Sequence, residues 1–145
     1  MRIAKLKTDG FKSDIDNTFA DKNIIIGKNG TGKSGYKQAA ELAAIGYVGD
    51  EKLPNATLRL AKNGSFSVTA EIENLGVVNE IRRKIVETGE TTASMYRAVN
   101  GRQVHEPEIK TLLGGKTKFD TVDMGALVKM NDRVRSDYIF ELYGD

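Results

Sequence analysis

Residues 27 to 34 read Gly-Lys-Asn-Gly-Thr-Gly-Lys-Ser, which meets the pattern G-x-x-x-x-G-K-[ST] at every fixed position. Gly27, Gly30 and Gly32 free the backbone to turn tightly and to approach a polyphosphate without a Cβ in the way. The N–H groups of such a loop converge on phosphate oxygens, and a helix that follows adds the positive end of its dipole. Lys33 would reach the β- and γ-phosphates as a point charge. The Ser34 hydroxyl would complete a Mg²⁺ shell, which favours hard oxygen ligands. Lys33 and Ser34 are therefore the candidate catalytic residues, and ATP with Mg²⁺ is the expected ligand. Thr31 and Gly35, inside and just after the loop, join the candidate cofactor-binding set. A merely flexible glycine turn beside a helix is the plainer alternative, and it leaves the Gly-Lys-Ser ending without a reason.

The flanking segments must position that loop. Ile24, Ile25 and Ile26 form a β-branched run with no polar alternation, the pattern of a strand covered on both faces in an α/β sheet. Lys33 to Ile45 is rich in alanine, the best helix former, and Gly46 stands where a helix commonly stops. The expected order is strand, glycine loop, helix. Upstream, residues 2–7 and 15–19 read as two short strands, with a polar turn at Asp21-Lys22-Asn23.

Beyond Pro54 the periodicity changes. Leu58 and Leu60, then Phe66, Val68, Ala70 and Ile72, recur at a spacing of two around Asn63-Gly64, which predicts a hairpin. Residues 77–86 and 91–99 predict a second pair around Thr88-Gly89-Glu90, and Asn100-Gly101 turns into residues 102–104. Glu106-Pro107 starts a short helix ending at Gly114-Gly115, and residues 118–122 form one more strand. Asn131 caps a last helix with Val134, Tyr138 and Leu142 on one stripe.

Composition bounds the function classes. The 145 residues suit a single domain, 39% hydrophobic and 29% charged, with a net charge of +2 that argues for no particular partner. There is no cysteine, so disulfides and thiolate metal sites are excluded. No apolar run reaches membrane-spanning length, and MRIAKLKTDGFK lacks the apolar segment of a secretory signal, so a cytoplasmic setting and no membrane partner are expected. His105 has no second histidine with which to bind a metal and reads as an ordinary exposed residue.

Phe11-Lys12-Ser13, followed by Ile24-Ile25-Ile26-Gly27-Lys28-Asn29-Gly30-Thr31-Gly32-Lys33-Ser34, resembles the N-terminus of the ATP-binding cassette heads of the SMC, RecF and SbcC group of DNA-maintenance ATPases. Asn29 before Gly30 is typical of that group and unnecessary for a generic phosphate loop. The resemblance implies an α/β P-loop NTPase fold, the N-terminal lobe of a head, with a central strand–loop–helix unit and an antiparallel β subdomain. It also implies that Lys12 and Ser13 approach the nucleotide and that Asn29 sits near the γ-phosphate. For Phe11-Lys12-Ser13 the alternative is a surface turn anchored by one phenylalanine. The group's glutamine loop would fall at residues 123–125, but position 124 is Met, and Asp123 is the substitute oxygen ligand for the metal. A carboxylate in an exposed turn is the other reading of Asp123.

A small GTPase would need an Asn-Lys-x-Asp base reader, which is absent. So are the signature loop and the apolar strand ending in Asp-Glu that complete such a head; Leu112-Leu113-Gly114-Gly115 lacks the signature serine. The expected partner is thus a second half-head, from a later segment or another chain, with a head dimer acting on DNA. Arg82, Arg83, Lys84, Arg97 and Arg102 are candidate DNA-backbone contacts, or else charges on a solvated sheet. Two further readings remain: a nucleotide-controlled interaction subunit of transporter or defence type without DNA, and a small-molecule kinase.

Overall fold

Strands whose apolar residues alternate can offer one face to a helix and the other to water. In the computed structural model, which describes residues 1–21, 23–28, 30–114, 131–134, 136 and 137, this rule governs the central strands of one sheet. Strand β1 (Arg2–Asp9) turns back as the short β2 (Asp16–Thr18), and helix α1 (Lys33–Ile45) follows. A four-residue helix α2 (Pro54–Thr57) and a 3-10 turn at Leu58–Leu60 lead into β3 (Ser65–Asn74). Then come β4 (Val77–Gly89), β5 (Thr92–Val99), β6 (Arg102–Gln103) and helix α3 (Glu106–Leu112). The six strands make one sheet in the order β2-β1-β3-β4-β5-β6, and every pairing is antiparallel.

Phe66, Val68, Ala70 and Ile72 of β3 point to one face, opposite Ile85, Arg83, Ile81 and Asn79 of β4 in register. Against that face α1 lays Ala39, Ala40, Leu42, Ala43 and Ala44, all buried. Small side chains let the helix come close to the strands. Gly46 ends the helix in a left-handed conformation, its N–H bonded to the Leu42 carbonyl.

One inward position on β4 is charged. Arg83 is fully buried and makes two hydrogen bonds to Glu106 at the start of α3, of 2.6 and 2.9 Å. Its remaining donors reach the carbonyls of Ala43 and Ala44, at 3.0 and 3.3 Å, in the last turn of α1. A guanidinium there also complements the negative end of the helix dipole. Arg97 adds a second cation on Glu106 at 2.7 Å. Burial pushes the Glu106 carboxyl up, but Arg83 and then Arg97 outweigh it and hold the group below the usual carboxylate range.

The structure corrects the expected fold class. There is no parallel central sheet and no buried strand before the glycine loop among the described residues. The architecture is a small antiparallel six-strand sheet with a few short helices, not an α/β P-loop NTPase lobe. Ile24, Ile25 and Ile26 lie in no strand and are 86%, 44% and 88% exposed. A strand covered on both faces needs a neighbour on each side, and β1 already has β2 and β3 while α1 fills the sheet's apolar face.

The Asn63-Gly64 hairpin is also corrected, since Leu58–Leu60 is a 3-10 turn rather than a strand. The hairpin before β4 turns instead at Leu75-Gly76, both at positive φ (51° and 78°). Lys33–Ile45, the pair of strands before Asn100-Gly101, and the helix at Glu106 form as the sequence predicts. At Asn131 the side chain accepts the Val134 N–H at 3.0 Å, the expected cap. Residues 118–122, Tyr138 and Leu142 lie outside the described residues. Among the described residues no helix is long and apolar enough to cross a membrane.

Two outcomes test this account. Leu75 holds a left-handed conformation that costs a branched residue about 1 kcal/mol, so Leu75→Asn raises stability in urea denaturation; a loss would refute the turn. Because the Glu106 pKa is lowered on folding, its contribution is complete above about pH 4.3 and fades as pH falls through the folded value. That acid-side loss disappears in Glu106→Gln, whereas Arg83→Ala costs about 3–5 kcal/mol at neutral pH by leaving buried partners unpaired.

Candidate functional site

The turn after β1 is fixed from beneath. Phe11 is fully buried with its ring 5.3 Å from that of Phe66, and the Lys12 N–H donates to the Leu60 carbonyl at 2.7 Å. The Thr8 hydroxyl donates to the Ser13 carbonyl at 2.7 Å and accepts the Ile15 N–H at 3.0 Å. Asp14 pairs with Lys62. Thus the side chains of Lys12 and Ser13 are carried to the start of α1.

There the chain enters the helix through Gly32, in a left-handed conformation (φ 84°). No side chain caps this end, and the first turn contains no acidic residue, so the positive end of the dipole is not offset locally. Gly35 lies in the first turn, directly under Ser13; a Cβ at position 35 would collide with the Ser13 hydroxyl. The close approach of the two segments therefore requires glycine.

The result is a cleft of about 450 Å³ lined by Lys12, Ser13, Gly30, Gly32, Lys33 and Ser34. Six residues singled out from sequence thus meet in space. Gly27 and Thr31 shape the loop instead of lining the cleft: Lys33 Nζ donates to the carbonyls of Gly27 and Lys28, the latter at 2.6 Å, and the Thr31 hydroxyl donates to Lys28 O at 2.7 Å. Two ammonium groups and two hydroxyls stand at the helix start, with no carboxylate among the described lining residues, a set whose chemistry favours an anion. None of the described lining residues carries a carboxylate or imidazole that could act as a general base.

For a metal, Ser34 contributes one hard oxygen, and the described residues contain no group of three His, Cys, Asp or Glu side chains. Asn29 and Asp123, and the whole of residues 123–125, fall outside the described residues.

The expected basic patch does not form as a unit. Arg83 is buried on Glu106, Arg97 pairs with the same carboxylate, and Arg102 pairs with Glu108 at 2.8 Å. Arg83 is accordingly withdrawn as a DNA contact. Arg82 and Lys84 point to the opposite, exposed face of β4. The inward turn of Arg83 had a signal in the sequence, its spacing of two from Ile81 and Ile85. His105 is exposed, and its N–H donates to Glu108 at the start of α3.

No protein-family model matches the sequence, and no curated protein matches it either.

Overpacking predicts the cost of filling the contact under Ser13. Gly35→Ala loses about 1–3 kcal/mol, and Ser13→Gly in the same chain recovers most of it. Denaturant midpoints of the two single variants and the double variant measure the coupling; strictly additive losses would show that the residues do not touch.

Proposed function

We propose that the cleft at the start of α1 holds the phosphate tail of ATP together with Mg²⁺. The observation that supports this most is the convergence of Lys12 and Ser13, after β1, with Lys33 and Ser34 on one cleft whose described lining residues include no carboxylate. Lys33 at present donates to two neutral carbonyls of its own loop. A phosphate oxygen is a stronger, charged acceptor, so the ammonium gains by leaving those carbonyls for the β- and γ-phosphates. Ser34 would give Mg²⁺ one ligand, the phosphate oxygens and water the others.

Binding without efficient turnover is the expected behaviour of these residues alone. Phosphoryl transfer needs a group that orients the attacking water and charge that stabilises the departing phosphoryl. Among the described residues none with a base lines the cleft. A further polypeptide segment would supply these groups, as the likeness of residues 1–46 to SMC, RecF and SbcC heads suggests. Three exposed isoleucines beside the loop agree with such a cover.

The choice of DNA as the ultimate partner rests on that likeness alone. The competing reading is a nucleotide-controlled protein contact without DNA. It is favoured by the engagement of Arg83, Arg97 and Arg102 in ion pairs.

Calorimetric titration with Mg·ATP checks the reading. The chain binds, Lys33→Ala weakens binding at least tenfold, and the purified chain shows no steady hydrolysis. Absence of heat, or an unchanged affinity in the variant, would end the proposal. Salt-sensitive binding of duplex DNA would favour the first partner, and its absence the second.

A further inference from the structure

Lys33 has cavities on both sides. Beyond it, away from Lys12 and Ser13, lies a second cavity of about 530 Å³ whose apolar walls are Ile3, Leu6, Phe19, Ile25, Tyr36 and Ala40. Phe19 and Tyr36 meet edge to face, with ring centroids 6.4 Å apart and planes at 78°. The Tyr36 hydroxyl donates to Asn17 Oδ1 at 2.8 Å, which fixes the ring from the β2 side. At the rim Asn23 closes the backbone on itself, accepting the Ala20 N–H at 3.0 Å and donating to the Ala20 carbonyl at 2.8 Å.

We propose that this cavity receives the base and sugar of the nucleoside phosphate whose tail occupies the neighbouring cleft. The inference rests on the nucleotide reading above and adds which part of the ligand this second group of residues recognises.

Three features carry it. Lys33 lines both cavities, so the two lie next to each other at the start of α1. The volume lies within the roughly 300–1,000 Å³ usual for small-molecule sites. The cleft offers cations and hydroxyls alone, while the cavity, whose lining also includes Arg2, Asp21 and Lys37, adds apolar walls and two aromatic rings on which a planar base can stack.

Lys33, Tyr36 and Ala40 follow one another at helical spacing along one stripe of α1, so the cavity continues from the turn that begins the phosphate cleft. An apolar peptide is the other occupant that such walls could take. It would make no use of the lysine shared with the cleft.

The test compares Mg·ATP with magnesium tripolyphosphate, which carries the same tail and no base. The unaltered chain binds ATP at least tenfold more tightly than tripolyphosphate. Tyr36→Ala and Phe19→Ala each remove most of that advantage and leave tripolyphosphate affinity as it was, while Tyr36→Phe retains it.

Equal affinity for the two ligands in the unaltered chain, or a loss shared equally by both, overturns the base assignment and leaves the phosphate reading standing. If neither ligand binds, both fall. A readout that needs no variant is saturation transfer by NMR from the base protons to the Phe19 and Tyr36 rings, and its absence in an ATP-bound sample also overturns the assignment.

Discussion

The packing of α1 on the inner face of β3 is the constraint on which the site depends. A helix that presents Ala39, Ala40, Ala43 and Ala44 settles close to Val68 and Ala70, and closeness fixes its direction as well as its distance. The same sheet carries β1, so the turn that follows β1 is held relative to the helix start through two layers of buried apolar side chains. Phe11 completes the link by packing its ring at a tilt against that of Phe66. The cleft is therefore assembled by the core, with the glycine loop as its most adaptable wall.

At the other end of α1 the same demand is met by charge. Arg83 stands between Ile81 and Ile85 on the inward face of β4, and its fork satisfies carbonyls that the helix leaves open at its C-terminus. Glu106 neutralises it and brings α3 alongside. Helix, sheet and α3 are thus tied at one buried point, while the N-terminal end carries no side-chain cap. Two of the charges that looked like a surface for nucleic acid, Arg83 and Arg97, are engaged at this junction with Glu106.

Much of this was legible in the residues. Alternation marked β3, β4 and β5, alanine content marked α1, and the Gly-Lys-Ser motif singled out four of the residues that line the cleft, while Lys12 and Ser13 were singled out only by the resemblance. The failures have physical causes. Ile24, Ile25 and Ile26 carry the composition of a buried strand, but composition cannot supply the neighbours that a buried strand requires. Asn63-Gly64 has good turn chemistry, yet the hairpin turns at Leu75-Gly76, because the inward alternation continues through Ile72 and resumes at Ile81 in matching register. The ion pair of Arg83 with Glu106 joins positions far apart in sequence, and only the spacing of Arg83 from its isoleucine neighbours hinted that it faces inward. The Phe19–Tyr36 pair gave no periodic signal, since one ring stands in a connecting segment and the other on the helix.

The placement of β1 in the interior of the sheet has a temporal side. Its partners on β3 are distant along the chain, with Arg2 opposite Glu73 and Leu6 opposite Ala70. As the polypeptide emerges from the ribosome, the first strand can join only its short neighbour β2 until β3 has been made. Closing that long loop carries an entropic toll that local hairpins such as β3–β4 avoid. The turn that carries Lys12 and Ser13 thus hangs from the pairing with the greatest separation along the chain in this sheet, and the cleft depends on that distant closure.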